Sequence, residues 1–315
     1  MTERDASFIA GDWGTSHLRL FLCDAQGVAL DVANGPGAAE AQGRFASVLT
    51  SLTAPWAQSH GPLPAVLCGM VGSNLGWTQA PYVACPAQPE QIAAACVSLQ
   101  EGTVAVVPGL SCHNRFNAPD FLRGEETQVL GALALVDKLR EGRWVICLPG
   151  THTKWVVVED GWVREFFTAP TGELFAVLRD HSVLVRGGAA DRPLDPAAFA
   201  KGLARFHEFP RAQLLQRLFE ARSRQLSGEF TADEASAYLS GMLIASDVHG
   251  ALSALSGSGR TVVLVGTAQL TQLYASACAC SGYDTCLVDG GAASLQGLLT
   301  VHRRLSPEGA AAYEI

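Results

Sequence analysis

Two short runs in this 315-residue chain pair a glycine with hydroxyl side chains at the same offset. Gly14-Thr15-Ser16-His17 leads into the apolar run Leu18 to Cys23. Gly150-Thr151-His152-Thr153 leads through Lys154 into Trp155 to Val158. Each Gly-Thr follows an apolar strand and precedes an alternating or β-branched one, and an acidic turn, Asp24 or Asp160, closes each hairpin. Backbone N–H groups and hydroxyls at such a tip can grip phosphate oxygens, because several donors converge on one anion. Two positions before the glycine the runs differ, with Asp12 in the first and Leu148 in the second. A carboxylate at a strand end suits Mg2+, which takes one or two carboxylates and completes its shell with water and phosphate oxygens. An ordinary Asp-Gly turn accounts for Asp12 taken alone equally well. Leu148 leaves the second hairpin only phosphate oxygens to hold.

Other segments carry chemistry in outline. Arg123-Gly124-Glu125-Glu126-Thr127 puts adjacent acids at a helix start, where one could take a proton from an attacking hydroxyl. Acids also favour that position through the helix dipole, and the sequence leaves both readings open. Lys154 ends a run that resembles a P-loop only superficially: that motif needs Gly-x4-Gly-Lys-Ser/Thr and then a helix, whereas β-branched residues follow Lys154. It is either a phosphate ligand or a solvated strand residue. Gly266-Thr267 ends a buried strand and Asp289-Gly290-Gly291 opens a final helix, so each glycine turn could admit a ligand against the backbone or merely allow close packing. The glycine-rich stretch from Gly69 to Trp77 is too irregular for a helix or strand and is a candidate loop, with Ser73, Asn74 and Trp77 as ligand contacts. There is no Gly-x-Ser-x-Gly elbow and no Gly-x-Gly-x-x-Gly after the first strand, which removes serine-hydrolase and dinucleotide-dehydrogenase readings.

These residues need strands and helices to place them. Phe8 to Gly11, His17 to Cys23 and Val28 to Asn34 read as three strands with short turns, followed by an amphipathic stretch over Glu40 to Leu52 and a buried strand, Ala65 to Cys68. Gln88 to Leu99 reads as a helix, Thr103 to Val107 as a strand, and Gly124 to about Arg140 as a strong helix that carries the domain junction. Strands Thr153 to Glu159 and Trp162 to Phe167 follow, and Thr231 with Glu234 forms a capping box that opens a helix to about Leu255. Thr261 to Val265 and Thr285 to Val288 are the last strands. Strands in runs and then alternating with helices describe an α/β protein of two related halves.

Composition narrows the class. An apolar fraction of 48% and 17% charged residues describe an ordinary globular enzyme. A net charge of -8 argues against a nucleic-acid partner, which needs a basic surface. Nine scattered cysteines, a charged N-terminus without a signal core, and no apolar stretch of membrane-spanning length lead to the expectation of a cytoplasmic protein with no membrane partner.

With these motifs assembled, the chain resembles the superfamily of sugar kinases, heat-shock ATPases and actin, and within it is most similar to the 2-dehydro-3-deoxygalactonokinase family. The resemblance rests on Gly11 to Ser16, Cys68 to Ser73, Pro108 to Leu110, Arg123 to Gln128, Leu148 to Lys154 and Thr171 to Phe175. It implies two ribonuclease-H-like domains with an interdomain ATP cleft: residues 1–130 as the sugar-acid and metal side, 131–289 as the nucleotide side, and a C-terminal helix over 290–315 packed near the first. It implies ATP and Mg2+ as cofactors, with Mg2+ at Asp12 and, through water, Asp289. Gly14, Thr15, Ser16, Gly150, Thr151, Thr153, Lys154, Gly266, Thr267 and Gly290 are the implied nucleotide contacts. Thr267 stands where the superfamily's adenosine motif has a second glycine. Ser73, Asn74, Trp77, Arg115 and Arg123 would hold a small sugar acid, since a guanidinium forks onto a carboxylate. The implied base is Glu125 or Glu126, and counting from Gly124 selects Glu126. The implied activity is ATP-dependent phosphorylation of 2-dehydro-3-deoxy-D-galactonate in galactonate catabolism. Its rivals are a kinase for the gluconate epimer, a phosphohydrolase of polyphosphate or a guanosine polyphosphate, and a sensor on the same fold; a homo-oligomer is compatible with each.

Overall fold

The computed structural model of the chain describes residues 5–187, 193–208, 214–255 and 259–305. Alternating burial shapes the opening strands β1 (Ala6–Trp13), β2 (His17–Asp24) and β3 (Ala29–Pro36): on β2, Leu18, Leu20 and Leu22 face the core while His17 and Arg19 face out. The three form an antiparallel meander that sets Asp12 opposite Arg19 and Trp13 opposite Leu18. Helix α1 (Phe45–His60) then leads to β4 (Ala65–Gly69), which is buried at every position and pairs parallel with β1.

The region to residue 122 holds more strand than its sequence suggests. The helix expected over Gln88 to Leu99 stops early as α2 (Pro89–Ala94), because Val97, Ser98 and Leu99 form β6 (Val97–Leu99) and pair antiparallel with β7 (Val104–Val106). A separate three-stranded sheet joins β5 (Tyr82–Ala84), β8 (Gly109–His113) and β9 (Pro119–Leu122). Its strands are too short to show a period. The next helix is α3 (Glu125–Leu135), and Asp137–Arg140 continues as a short 3-10 turn.

The second half repeats the pattern. Strands β10 (Arg143–Leu148), β11 (Thr153–Glu159) and β12 (Trp162–Ala169) precede the helices α4 (Thr171–His181), α5 (Pro196–His207), α6 (Leu214–Leu218), α7 (Glu220–Leu226) and α8 (Ala232–Ala254). Then come β13 (Thr261–Gly266), α9 (Ala268–Cys280), β14 (Asp284–Asp289) and α10 (Gly290–Leu305). The capping box at the start of α8 is present: Thr231 Oγ1 accepts from Glu234 N at 3.2 Å, and Thr231 N donates to Glu234 Oε2 at 2.8 Å.

The first sheet runs β3-β2-β1-β4-β7-β6 and the second β12-β11-β10-β13-β14. In each, three consecutive strands lie in reverse order and a later strand joins the first of them in parallel, β4 on β1 and β13 on β10. This is the ribonuclease-H-like order, built twice.

Among the described residues the chain forms two compact units, the first comprising 5–143, 156–167 and 288–305 and the second the remainder. The first unit runs past α3 to residue 143 before the chain enters the second. Within the first unit α10 lies directly on α3: a Cβ at Gly131 would stand 1.8 Å from the Ala293 carbonyl oxygen, and one at Gly297 1.9 Å from that of Thr127. Of the C-terminal helix expected over 290–315, residues 306–315 lie outside the described residues. All nine cysteines are free thiols, and no helix among the described residues is long and apolar enough to cross a membrane.

Candidate active site

In the first unit, the ends of β1 and β4 and the start of α3 converge on Asp12. Its carboxylate accepts a hydrogen bond from Ser294 Oγ of α10 at 3.4 Å, and the Cys68 thiol lies 3.9 Å away. Burial pushes the Asp12 carboxyl up from its ordinary value; Ser294 and the Arg19 charge oppose the shift, and the negative charge of Glu125 adds to it. Gly69 and Gly124 let the chains close in: a Cβ on Gly69 would lie 2.8 Å from the Trp13 carbonyl oxygen, and Gly124 turns at φ 104°, a conformation that only glycine takes at little cost.

The turn at Gly124 separates the two glutamates. Glu126 is fully buried, accepting from Gly124 N at 2.6 Å and from Thr127 Oγ1 at 3.1 Å. Burial, reinforced by Glu125, pushes its carboxyl up to about 8. Glu125 is half-buried and accepts from Arg123 N at 3.0 Å. Asp289 is exposed and uses Oδ1 to accept from Ala292 N at 2.8 Å, capping the start of α10, where Gly290 is buried. A Cβ on Gly291 would lie 3.2 Å from Asp289 Oδ1 and 3.4 Å from Arg19 Nη1, so acid and cation flank one spot.

Above Asp12 the turn Thr15-Ser16-His17 is exposed. Gly14 N donates to His17 O at 2.9 Å, and Ala39 N donates to Thr15 O at 3.1 Å. Gly37 backs the turn, for a Cβ there would lie 2.3 Å from Thr15 O. Asn74 and Trp77 line a pocket of about 450 Å3 with Gln42, Gly43, Phe45 and Ala46, while Ser73 is buried and accepts from Leu75 N at 3.2 Å. Arg115 forms an ion pair with Glu165 and so already has a carboxylate partner. Arg123 is different: Nη2 donates to Ala80 O at 2.8 Å, the guanidinium stacks 4.4 Å from the Tyr82 ring centre, and Nε and Nη1 are buried with no hydrogen-bond acceptor among the described residues.

In the second unit the Gly150-Thr151-His152 turn is backed by the start of α4. Glu173 N donates to Thr151 O at 2.9 Å, the Glu173 carboxylate meets His152 Nε2 at 2.8 Å, and a Cβ on Gly172 would lie 2.4 Å from Gly150 O. Thr151 and His152 are exposed. Thr153 is not at the tip: it is fully buried, and its hydroxyl shares a 2.8 Å hydrogen bond with Tyr274. Thr153 is already the first residue of β11, which is buried on both faces from Thr153 to Val158, so its side chain lies inside the fold and not at the tip. Lys154 is also buried, so the solvated-strand reading of it does not hold. Gly266 ends β13, where a Cβ would meet nothing nearer than 3.6 Å, and Thr267 caps α9, Oγ1 accepting from Leu270 N at 3.4 Å.

A family model described as 2-keto-3-deoxy-galactonokinase matches residues 12–301. The chain belongs to this family. It is 37% identical, over 95% of its length and 98% of the relative's, to a probable 2-dehydro-3-deoxygalactonokinase of Rhizobium meliloti (strain 1021). It is 32% identical to the 2-dehydro-3-deoxygalactonokinase of Escherichia coli (strain K12), over 94% of this chain and 97% of that one. The crystal structure of a putative 2-dehydro-3-deoxygalactonokinase from Sinorhizobium meliloti superposes with a TM-score of 0.87 at 35% identity, covering 95% of this chain and 99% of that one. An activator of 2-hydroxyisocaproyl-CoA dehydratase from Clostridium difficile shares the fold alone, with a TM-score of 0.52 at 11% identity over 98% of each chain.

For a member of this family the sequence motifs leave out one charged neighbour of Asp12. Arg19 lies across the hairpin from Asp12 and beside Gly291, yet it reads in sequence as an outward-facing strand residue. Counting cross-strand partners from the Gly14 turn would have found it, since residues 12 and 19 are then opposite.

Proposed function

We propose that the chain transfers the γ-phosphoryl group of ATP to the terminal hydroxyl of 2-dehydro-3-deoxy-D-galactonate, giving the 6-phosphate, as a cytoplasmic enzyme of galactonate catabolism. The observation that carries this reading is the family match over residues 12–301, which takes in both Gly-Thr turns and the Arg123 to Glu126 corner. The first unit is assigned the sugar acid and the metal, and the second the nucleotide phosphates.

The residues at Asp12 fit a hard divalent cation. Asp12 and Glu125 are mutually repelling carboxylates, and among the described residues no group of three or more His, Cys, Asp or Glu side chains could hold a metal, so a cation at Asp12 would complete its shell with water and ligand oxygens. Mg2+ bound there would offset charge on the phosphate oxygens during transfer. Asp289, half occupied by its cap to α10, would reach it only through water. The amides and hydroxyls of Thr15, Ser16 and Thr151 would stabilise the transferring group, whose transition state needs positioning and charge compensation. Arg19 would add positive charge on the Asp12 side.

Glu125 is the better placed base. It is half exposed, whereas Glu126 is enclosed and, with its carboxyl pushed to about 8, holds its proton at neutral pH. Arg123, with unmatched N–H groups, is the fitting partner for the sugar-acid carboxylate. Asn74 and Trp77 would contact the carbon chain.

A coupled assay of ADP formation over a panel of 2-oxo-3-deoxy acids tests the reading. Turnover should depend on the acceptor and favour the galactonate over the gluconate epimer. ADP released equally without acceptor would make the protein a phosphohydrolase instead.

A further inference from the structure

Behind the second turn lies a side-chain cluster that no motif announces. Asp247, in the middle of α8, accepts three hydrogen bonds from three different elements. Trp155 Nε1 of β11 donates to Oδ1 at 2.9 Å, Thr171 Oγ1 at the start of α4 donates to Oδ2 at 2.7 Å, and Tyr274 OH of α9 donates to Oδ2 at 2.7 Å. Tyr274 also shares its hydroxyl with Thr153, the residue at the foot of the turn. No Lys or Arg forms an ion pair with Asp247 among the described residues, so three neutral donors hold its charge. A carboxylate placed so costs stability in a core that apolar residues could fill, and what it supplies in return is a fixed geometry for its three donors.

The elements it ties are those that shape the turn. Thr171 is followed by Gly172, which lies on Gly150, and by Glu173, whose amide binds Thr151 O. Gly150, Thr171, Gly172 and Tyr274 also line one small cavity of about 90 Å3. We propose that Asp247 is a positioning residue that fixes the Gly150-Thr151-His152 turn for the phosphates of the nucleotide, holding it from below through Thr153 and Tyr274 and from behind through Thr171. This rests on the reading that the turn binds nucleotide phosphate.

In Asp247→Asn the amide oxygen must take the Trp155 N–H, which can only donate. The NH2 group then faces two hydroxyls that must reverse to accept it. ADP affinity, measured by calorimetry on the full chain, should fall about 10-fold to 100-fold, the scale of a small misplacement at a site, while the KM for the sugar acid stays within about twofold. Thr171→Val should weaken ADP in the same direction, and Thr171→Ser, which keeps the hydroxyl, should restore it. This pair decides the matter if Asp247→Asn does not fold. Asp247→Asn or Thr171→Val binding ADP like the unaltered protein, while Thr151→Ala binds it poorly, would overturn the proposal and leave the nucleotide reading standing. Sugar-acid KM rising in step with ADP dissociation would also overturn it, because that marks general loosening. Unchanged ADP affinity in Thr151→Ala would remove the nucleotide reading, and the proposal with it.

Discussion

The first and second Gly-Thr turns are one backbone device set over different interiors. Each connects strands of a sheet with the same order, each is backed by a glycine that no side chain could replace in place, and each receives a main-chain N–H at its threonine carbonyl: Ala39 to Thr15, and Glu173 to Thr151. Beneath the first lies a carboxylate, Asp12, in reach of the Glu125 and Arg19 charges. Beneath the second lies Leu148, fully apolar and 3% exposed, with a hydroxyl network of Thr153 and Tyr274 to one side. On the proposed reading, the backbone of each turn would hold phosphate oxygens, and the residue two places before the glycine would decide whether a cation can join them.

The largest test removes that decision. Asp12→Asn should lower kcat about 10³-fold in steady-state assays with Mg2+, with an unchanged melting temperature, and Glu125→Gln should match it. Retained turnover in Asp12→Asn would take the metal away from the first turn. The reciprocal change, Leu148→Asp, should not create a second cation site. It should instead cost about 3 kcal/mol in urea unfolding, because the new charge is buried among apolar neighbours without a partner.

Next in size, Arg123→Ala should raise the sugar-acid KM about 30-fold and leave that of ATP almost unchanged, the loss expected for a charged hydrogen-bond partner. Equal rises in both would make Arg123 a prop for Ala80 and Tyr82. Gly37→Ala and Gly172→Ala should each destabilise by about 2 kcal/mol, visible in thermal melts, since each Cβ would stand within 2.4 Å of turn backbone. Unequal costs would mean that one turn yields more readily than the other.

The last test reads a slope. The Glu126 carboxyl rises from 4.5 to about 8 on folding, so across that window the native state holds a proton that the unfolded chain has lost. Stability should fall as pH rises from about 5 to 8, and Glu126→Gln should flatten that fall while keeping activity. A slope unchanged in Glu126→Gln would assign it to other groups, Asp12 and Asp247 among them, whose carboxyls burial also raises.

Much of this was readable from residue order. The paired turns, the Asp12 and Leu148 difference and the Thr231 cap are local patterns, and local geometry realises them. The glutamate pair was readable as a pair but not in its division, because a one-residue step on a helix sends neighbours to different faces and only tertiary packing says which face is covered. Thr153 looks like a tip residue in sequence, but it begins β11, a strand covered on both faces. Asp247 left no local trace at all: it sits mid-helix, and its three donors come from residues 155, 171 and 274. The small sheet of β5, β8 and β9 escaped for the opposite reason, its strands being too short to display alternation.

The contact of α10 on α3 bears on how the protein is made. Ser294 completes the surroundings of Asp12, and Gly297 and Gly131 let the last described helix lie against the one that begins with Glu125 and Glu126. A ribosome releases residue 12 long before residue 294, so the nascent first unit must wait, with the α10-facing side of α3 uncovered, while the whole second unit is synthesised. The second unit, whose residues end at 287, has all of them out of the ribosome first.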